Sequence, residues 1–159
     1  GWVSLTNPDA VSGGTIDFAG SGVVHMTGGI AALCGAAIVG PRLGRFDPVN
    51  RTAPPLPLPG HSPVLQALGT LILWLSWFSF NSGATQSLQG EHAATAASRV
   101  CVTTLLGGST GGLVTALLVR VSGSGKAWEV ASTCNGILAG LVSITAGCAT
   151  VPPWAAIVI

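Results

Sequence analysis

The run from Phe18 to Pro41 contains no charged residue, and its one histidine is His25. A helix needs about 20 apolar residues to cross a hydrocarbon layer of about 30 Å, and this run is long enough. Further uncharged runs follow at about 63–83, 100–119 and 130–150, and another opens near Pro153. In hydrocarbon every backbone N–H and C=O must be paired within the protein, so a spanning segment is either a helix or part of a closed barrel. None of these runs alternates with period two, which argues against a barrel. The expected fold is all-α: a polytopic membrane helix bundle, one transmembrane unit over 1–159, with spans at about 17–40, 63–83, 100–119, 130–150 and a last one from 153.

Composition points the same way. Charged residues make up 7% of the chain, hydrophobic residues 48%, and the mean hydropathy is +0.65. Soluble domains carry about 25% charged residues, so a soluble fold with an apolar-rich core could not cover its wet surface here. Six basic residues spread over 159 positions form no patch for nucleic acid. Cys34, Cys101, Cys134 and Cys148 show no CxxC spacing and lie in apolar context, so they are expected to be small buried side chains. No metal site and no cofactor is expected. "GSGKA" lacks the spacing and the Ser/Thr of a phosphate-binding loop, and no Ser/His/Asp or Cys/His set suggests an enzyme.

Charge placement orients the spans. Arg42, Arg45 and Arg51 follow the first span, and Arg120 and Lys126 follow the third. The positive-inside rule puts both loops in the cytoplasm, so the Asn50-Arg51-Thr52 sequon is expected to stay unglycosylated. Asp17 then sits at the outer mouth of the first span, while Arg99, near the outer end of the third, would snorkel to the interface. Gly107/Gly111, Gly108/Gly112 and Gly136/Gly140 form three small-xxx-small repeats, which let helices approach closely. The chain begins with glycine and stops inside an apolar run, so it reads as an internal fragment.

Few residues remain to carry chemistry. Asp17 either caps the first helix or stabilises a substrate at the mouth; the two roles are compatible. Eight helical residues further in, about 12 Å deeper, His25 either bonds between helices or lines a pore. Trp77, Phe80 and Ala84 share one face of the second span, as a lipid-interface belt or as an aromatic site for a cation. Asn81 reads as a helix-to-helix hydrogen-bonding residue. His61, His92 and Glu91 are expected in solvated loops.

"DFAGSGVVHMTGGIAALCGAAIVGPRLGRFD", "LGTLILWLSWFSFNSGA" and "CNGILAGLVSITAGCATVPPWAAIV" together resemble the ammonium transporter family, the Amt/Mep/Rh proteins. The "GPRLGRFD" loop resembles the plant and algal branch, and speaks against an Rh-type gas channel. The resemblance implies a homotrimer in an integral, plasma-membrane setting, with one ammonium or ammonia pore per subunit. It implies eleven helices per subunit, ten of them in an inverted repeat, of which this fragment holds about helices five to nine. By the same resemblance, Asp17 matches the outer aspartate, His25 the first pore histidine, Trp77 a conserved tryptophan and Phe80 the gating phenylalanine. Ala84 stands where the family has a serine at its outer ammonium site, Ser76 and Ser79 replace two glycines, and Pro152-Pro153 replaces an acidic residue before proline. The alternatives to transport are an ammonium sensor, or a non-conducting fragment.

Overall fold

The computed structural model describes residues 7–47, 49, 52–87, 89–122 and 128–159. Asn50 and Arg51 of the sequon, Lys126 and the "GSGKA" stretch lie outside the described residues. The described chain is helical, without a strand. Its long elements are α1 (Thr27–Val39), α2 (Pro63–Gly83), α3 (Glu91–Ser122) and α4 (Val130–Thr145), with a short α5 (Ala155–Val158) at the end. A π-helical stretch, Ser21–Met26, runs directly into α1. Ser21–Val39, Pro63–Gly83 and Glu91–Ser122 are each long and apolar enough to cross a membrane.

Local chemistry sets several of these boundaries. Ser62 caps α2, its Oγ accepting the Leu65 N–H at 3.3 Å, and Pro63 occupies the first helical position, where a missing N–H costs nothing. At 32 residues, α3 spans roughly 48 Å at 1.5 Å per residue, well beyond a 30 Å hydrocarbon layer. Its first turns therefore carry Glu91, His92 and Arg99, which hydrocarbon would not accept. Glu91 and His92, expected in a loop, instead open this helix as exposed side chains. The acidic Glu91 sits well against the positive helix N-terminus. The regular helix of α4 stops at Thr145, and the chain continues in turns through Thr150. Freed carbonyls there are taken by the first span: Phe18 N–H donates to Ala146 at 2.9 Å and Ala19 N–H to Thr145 at 3.2 Å.

The tightest contact in the bundle is glycine on glycine. A Cβ on Gly140 would strike the carbonyl of Gly107, and one on Gly111 would strike the carbonyl of Gly136. The repeats on α3 and α4 therefore face each other in antiparallel register, with backbones in van der Waals contact. Gly108 opens instead toward Trp74 of α2 and Leu141 of α4, where a Cβ would lie 3.0 Å from each. Around this seam Val100, Leu141, Ile144 and Cys148 are fully buried. Thr103 on α3 donates to the Cys148 carbonyl at 2.8 Å, tying the turn after α4 to the seam.

α1 is packed quite differently. All its residues are exposed, and its glycines Gly28, Gly29 and Gly35 have nothing within 4 Å of a built Cβ. Burial of all four thiols fails here: Cys134 and Cys148 are buried and Cys101 is partly buried, but Cys34 is exposed. The reason is that α1 has no other long helix laid against it among the described residues, so its apolar sides stay uncovered there. Arg99 also does more than snorkel, since its Nη2 donates to the Val151 carbonyl at 2.8 Å and latches α3 to the segment before α5.

Candidate functional site: a three-ring cluster beside the first span

The first span does not enter as an α-helix at Asp17. Gly20 takes the left-handed conformation (φ 93°), which glycine adopts without a Cβ penalty, and the chain then winds as a π-helix from Ser21. The Gly20 carbonyl accepts from both Val24 N–H at 2.9 Å and His25 N–H at 3.3 Å. Asp17 Oδ2 accepts the N–H groups of Gly22 at 3.0 Å and Val23 at 2.9 Å, two donors that the start of a helix leaves without intrahelical partners. Ser21 Oγ donates to the Val142 carbonyl at 2.8 Å and pins the turn to α4. π-turns of this kind are rare and concentrate at functional sites. The 12 Å of regular helix expected between Asp17 and His25 is therefore absent, and His25 stands on the first wide turn of the span.

That turn delivers His25 to α2. Its ring stacks on Trp77, centroids 4.9 Å apart and planes 15° from parallel. Phe80 closes a triangle, edge-on to His25 at 5.6 Å and tilted to Trp77 at 5.9 Å. The three-residue spacing of Trp77 and Phe80 puts both on the face of α2 that meets the π-turn. His25 Nδ1 and Asp17 Oδ1 are both buried without a hydrogen-bond partner among the described residues. A buried polar atom left unpaired costs about 1–3 kcal/mol, so such atoms point to something outside the chain.

Thr145 has no motif in the sequence that marks it as part of a site. Fully buried at the end of α4, its Oγ1 accepts the Trp77 indole N–H at 2.9 Å and donates to the Leu141 carbonyl at 2.6 Å. This pair fixes the face of Trp77 that His25 lies against. The one available signal was a hydroxyl inside an apolar span, which must find a partner.

The other named residues stand apart from the rings. Asn81 is fully buried and donates from Nδ2 to Thr104 Oγ1 on α3 at 3.0 Å, a bond between helices; its Oδ1 has no partner among the described residues. Ala84 follows the end of α2 and offers no hydrogen-bonding side chain. His61 is exposed before α2. Among the described residues no three His, Cys, Asp or Glu side chains group as a metal site.

The comparisons with known proteins agree on one family. The model of the Ammonium Transporter Family matches residues 1–159. The chain belongs to the ammonium transporter family. It is 47% identical over 167 residues to ammonium transporter 1 member 1 of Solanum lycopersicum, covering 99% of this chain and 33% of that protein. Ammonium transporter 1 member 2 of Arabidopsis thaliana is 46% identical over 169 residues, with 99% and 32% covered. Among solved structures, the N240A mutant of Candida albicans Mep2 superposes with a TM-score of 0.76 at 34% identity, covering 99% of this chain and 32% of that one. Saccharomyces cerevisiae Mep2 superposes at 0.75 and 36% identity, over 91% of this chain and 30% of that one. The chain thus spans about a third of the length of these ammonium transporters, as part of a multi-helix integral membrane protein.

Proposed function

We propose that the intact protein moves ammonium or ammonia across a membrane, as a homotrimer in the plasma membrane, and that Asp17, His25, Trp77 and Phe80 are this chain's share of the pathway. Membership of the ammonium transporter family supports the transport class. The observation that carries the site is the stacking of His25 on Trp77 with its Nδ1 buried and unpaired. A cation leaving water needs replacement contacts, and the faces of Trp77 and Phe80 offer cation–π attraction of about 0.5–2 kcal/mol depending on desolvation. A neutral imidazole holds one donor and one acceptor, so His25 would pass a small polar species that has given up its proton.

Asp17 acts in this reading chiefly as a positioning residue. One carboxylate oxygen is committed to the N–H groups of Gly22 and Val23, on the turn that carries His25. The other adds negative potential at the mouth. Ala84 supplies no hydroxyl there, which predicts weaker recruitment than a serine would give.

The test is growth on limiting ammonium of yeast lacking its own ammonium importers. The strain would carry the complete reading frame, its His25→Ala variant or its Asp17→Ala variant, with surface expression measured for each. Rescue by the parent and failure of a well-expressed His25→Ala supports the assignment. No rescue by a well-expressed parent overturns it.

A further inference from the structure

The loop between α1 and α2 carries a second feature, independent of transport. Its run "RTAPPLPLPG", residues 51–60, places four prolines in the six positions from Pro54 to Pro59. Pro54 and Pro57 are the one pair of prolines three residues apart in the whole sequence, and Arg51 stands three residues before them, giving Arg-x-x-Pro-x-x-Pro. We propose that this segment is a docking motif for a cytoplasmic SH3-type domain, whose aromatic-lined groove takes an extended proline helix.

The prolines dictate the conformation. Each ring fixes its own φ near about −65°, and each proline pushes the residue before it out of the α region. Ala53, Pro54, Leu56 and Leu58 all precede a proline, so the run from 53 to 59 is held in polyproline II geometry, with about three residues per turn. Residues 54–60 accordingly form neither helix, strand nor turn, and Pro54 through Pro59 are exposed. Four missing N–H groups also keep the run from pairing as a strand. Leu56 ties it to the rest of the loop: its N–H donates to the Arg45 carbonyl at 2.8 Å, and its carbonyl accepts from Arg45 Nη1. The segment is extended and displayed before any partner arrives, so docking costs little ordering entropy.

Three features select the groove. Pro54 and Pro57 lie one polyproline turn apart on one edge, so Ala53-Pro54 and Leu56-Pro57 present two like apolar pairs to two adjacent pockets. Leu58, on a different edge of this three-fold helix, faces its own loop instead, beside Arg42, Arg45 and Phe46. Arg51, outside the described residues, supplies by sequence a cation for an acidic pocket at the end of such a groove, and no carboxylate lies between Asp47 and Glu91 to offset it. The chain has no tyrosine, which excludes the Pro-Pro-x-Tyr pattern read by WW-type grooves. By charge placement the loop faces the cytoplasm, the side on which a soluble domain can reach it.

The experiment titrates a purified SH3 domain selective for Arg-x-x-Pro-x-x-Pro peptides against the intact protein in nanodiscs, read by biolayer interferometry. The parent should bind saturably. Pro54→Ala/Pro57→Ala should abolish binding, and Arg51→Gln, which leaves every proline in place, should weaken it about tenfold. Pro59→Ala, in the same loop but outside the Arg51–Pro57 register, should bind like the parent. No saturable binding by the parent overturns the proposal, as does equal binding in the parent and a Pro54→Ala/Pro57→Ala variant of unchanged melting temperature. Loss of binding in Pro59→Ala with retention in Pro54→Ala/Pro57→Ala would mean that another register is read, and overturns it too. A WW domain that binds more tightly than the SH3 domain in the same titration would reassign the segment to a different groove and also overturn it.

Discussion

His25 lies flat against Trp77, 4.9 Å between centroids and 15° between planes, although the two belong to segments with the whole 40–62 loop between them. Ring pairs of this kind contribute about 0.5–1.5 kcal/mol beyond the area they bury. Replacing Trp77 by leucine keeps apolar volume but removes the flat face and the indole N–H. Methylammonium uptake by the intact protein should fall about tenfold or more, with surface expression close to the parent's. Trp77→Phe, which keeps a ring, should fall between the two.

Thr145 provides a sharper test of whether the stack has to be held in place. Thr145→Val has nearly the same shape but leaves the partly buried Trp77 Nε1 without its 2.9 Å acceptor. A donor stranded this way costs about 1–3 kcal/mol. Uptake should drop severalfold in Thr145→Val and stay near the parent's in Thr145→Ser, which keeps the hydroxyl. Equal uptake in both would mean that Trp77 is placed by packing alone.

The contrast between these two residues shows what a reader of the sequence can reach. The all-helical membrane fold is legible because hydrocarbon leaves so few alternatives. Trp77 and Phe80 are legible as a pair because three residues make a helical neighbour, and so are the glycine repeats at four. Thr145 is hidden because its partner is 68 residues away and its own motif looks like any hydroxyl in a span. The π-turn is hidden for another reason: it comes from one left-handed glycine and one carboxylate bound to two N–H groups, and neither leaves a periodic trace. The exposure of Cys34 is not legible because apolar context predicts burial, and burial depends on which helix lies alongside.

The α3–α4 seam predicts a graded response to added methyl groups. At Gly111 a Cβ meets the backbone carbonyl of Gly136, which cannot move without shifting the helix. At Gly112 the nearest atom is Ile137 Cγ1 at 2.6 Å, part of a side chain able to rotate. Overpacking commonly costs about 1–3 kcal/mol. Gly111→Ala should lower the melting temperature of the purified intact protein clearly more than Gly112→Ala does, as followed by tryptophan fluorescence in detergent.

Asp17 can be separated into its charge and its hydrogen bonds. Asp17→Asn keeps an oxygen able to accept from Gly22 and Val23, whereas Asp17→Ala leaves both N–H groups at the head of the π-turn unpaired. Losing such a cap costs about 0.5–2 kcal/mol, so Asp17→Ala should melt measurably below the parent and Asp17→Asn close to it. If Asp17 works by positioning His25, Asp17→Asn should also retain most methylammonium uptake. If its charge recruits the cation, Asp17→Asn should be as stable as the parent and yet lose uptake. The pair of measurements therefore assigns the carboxylate, because only the second role needs the negative charge that asparagine lacks.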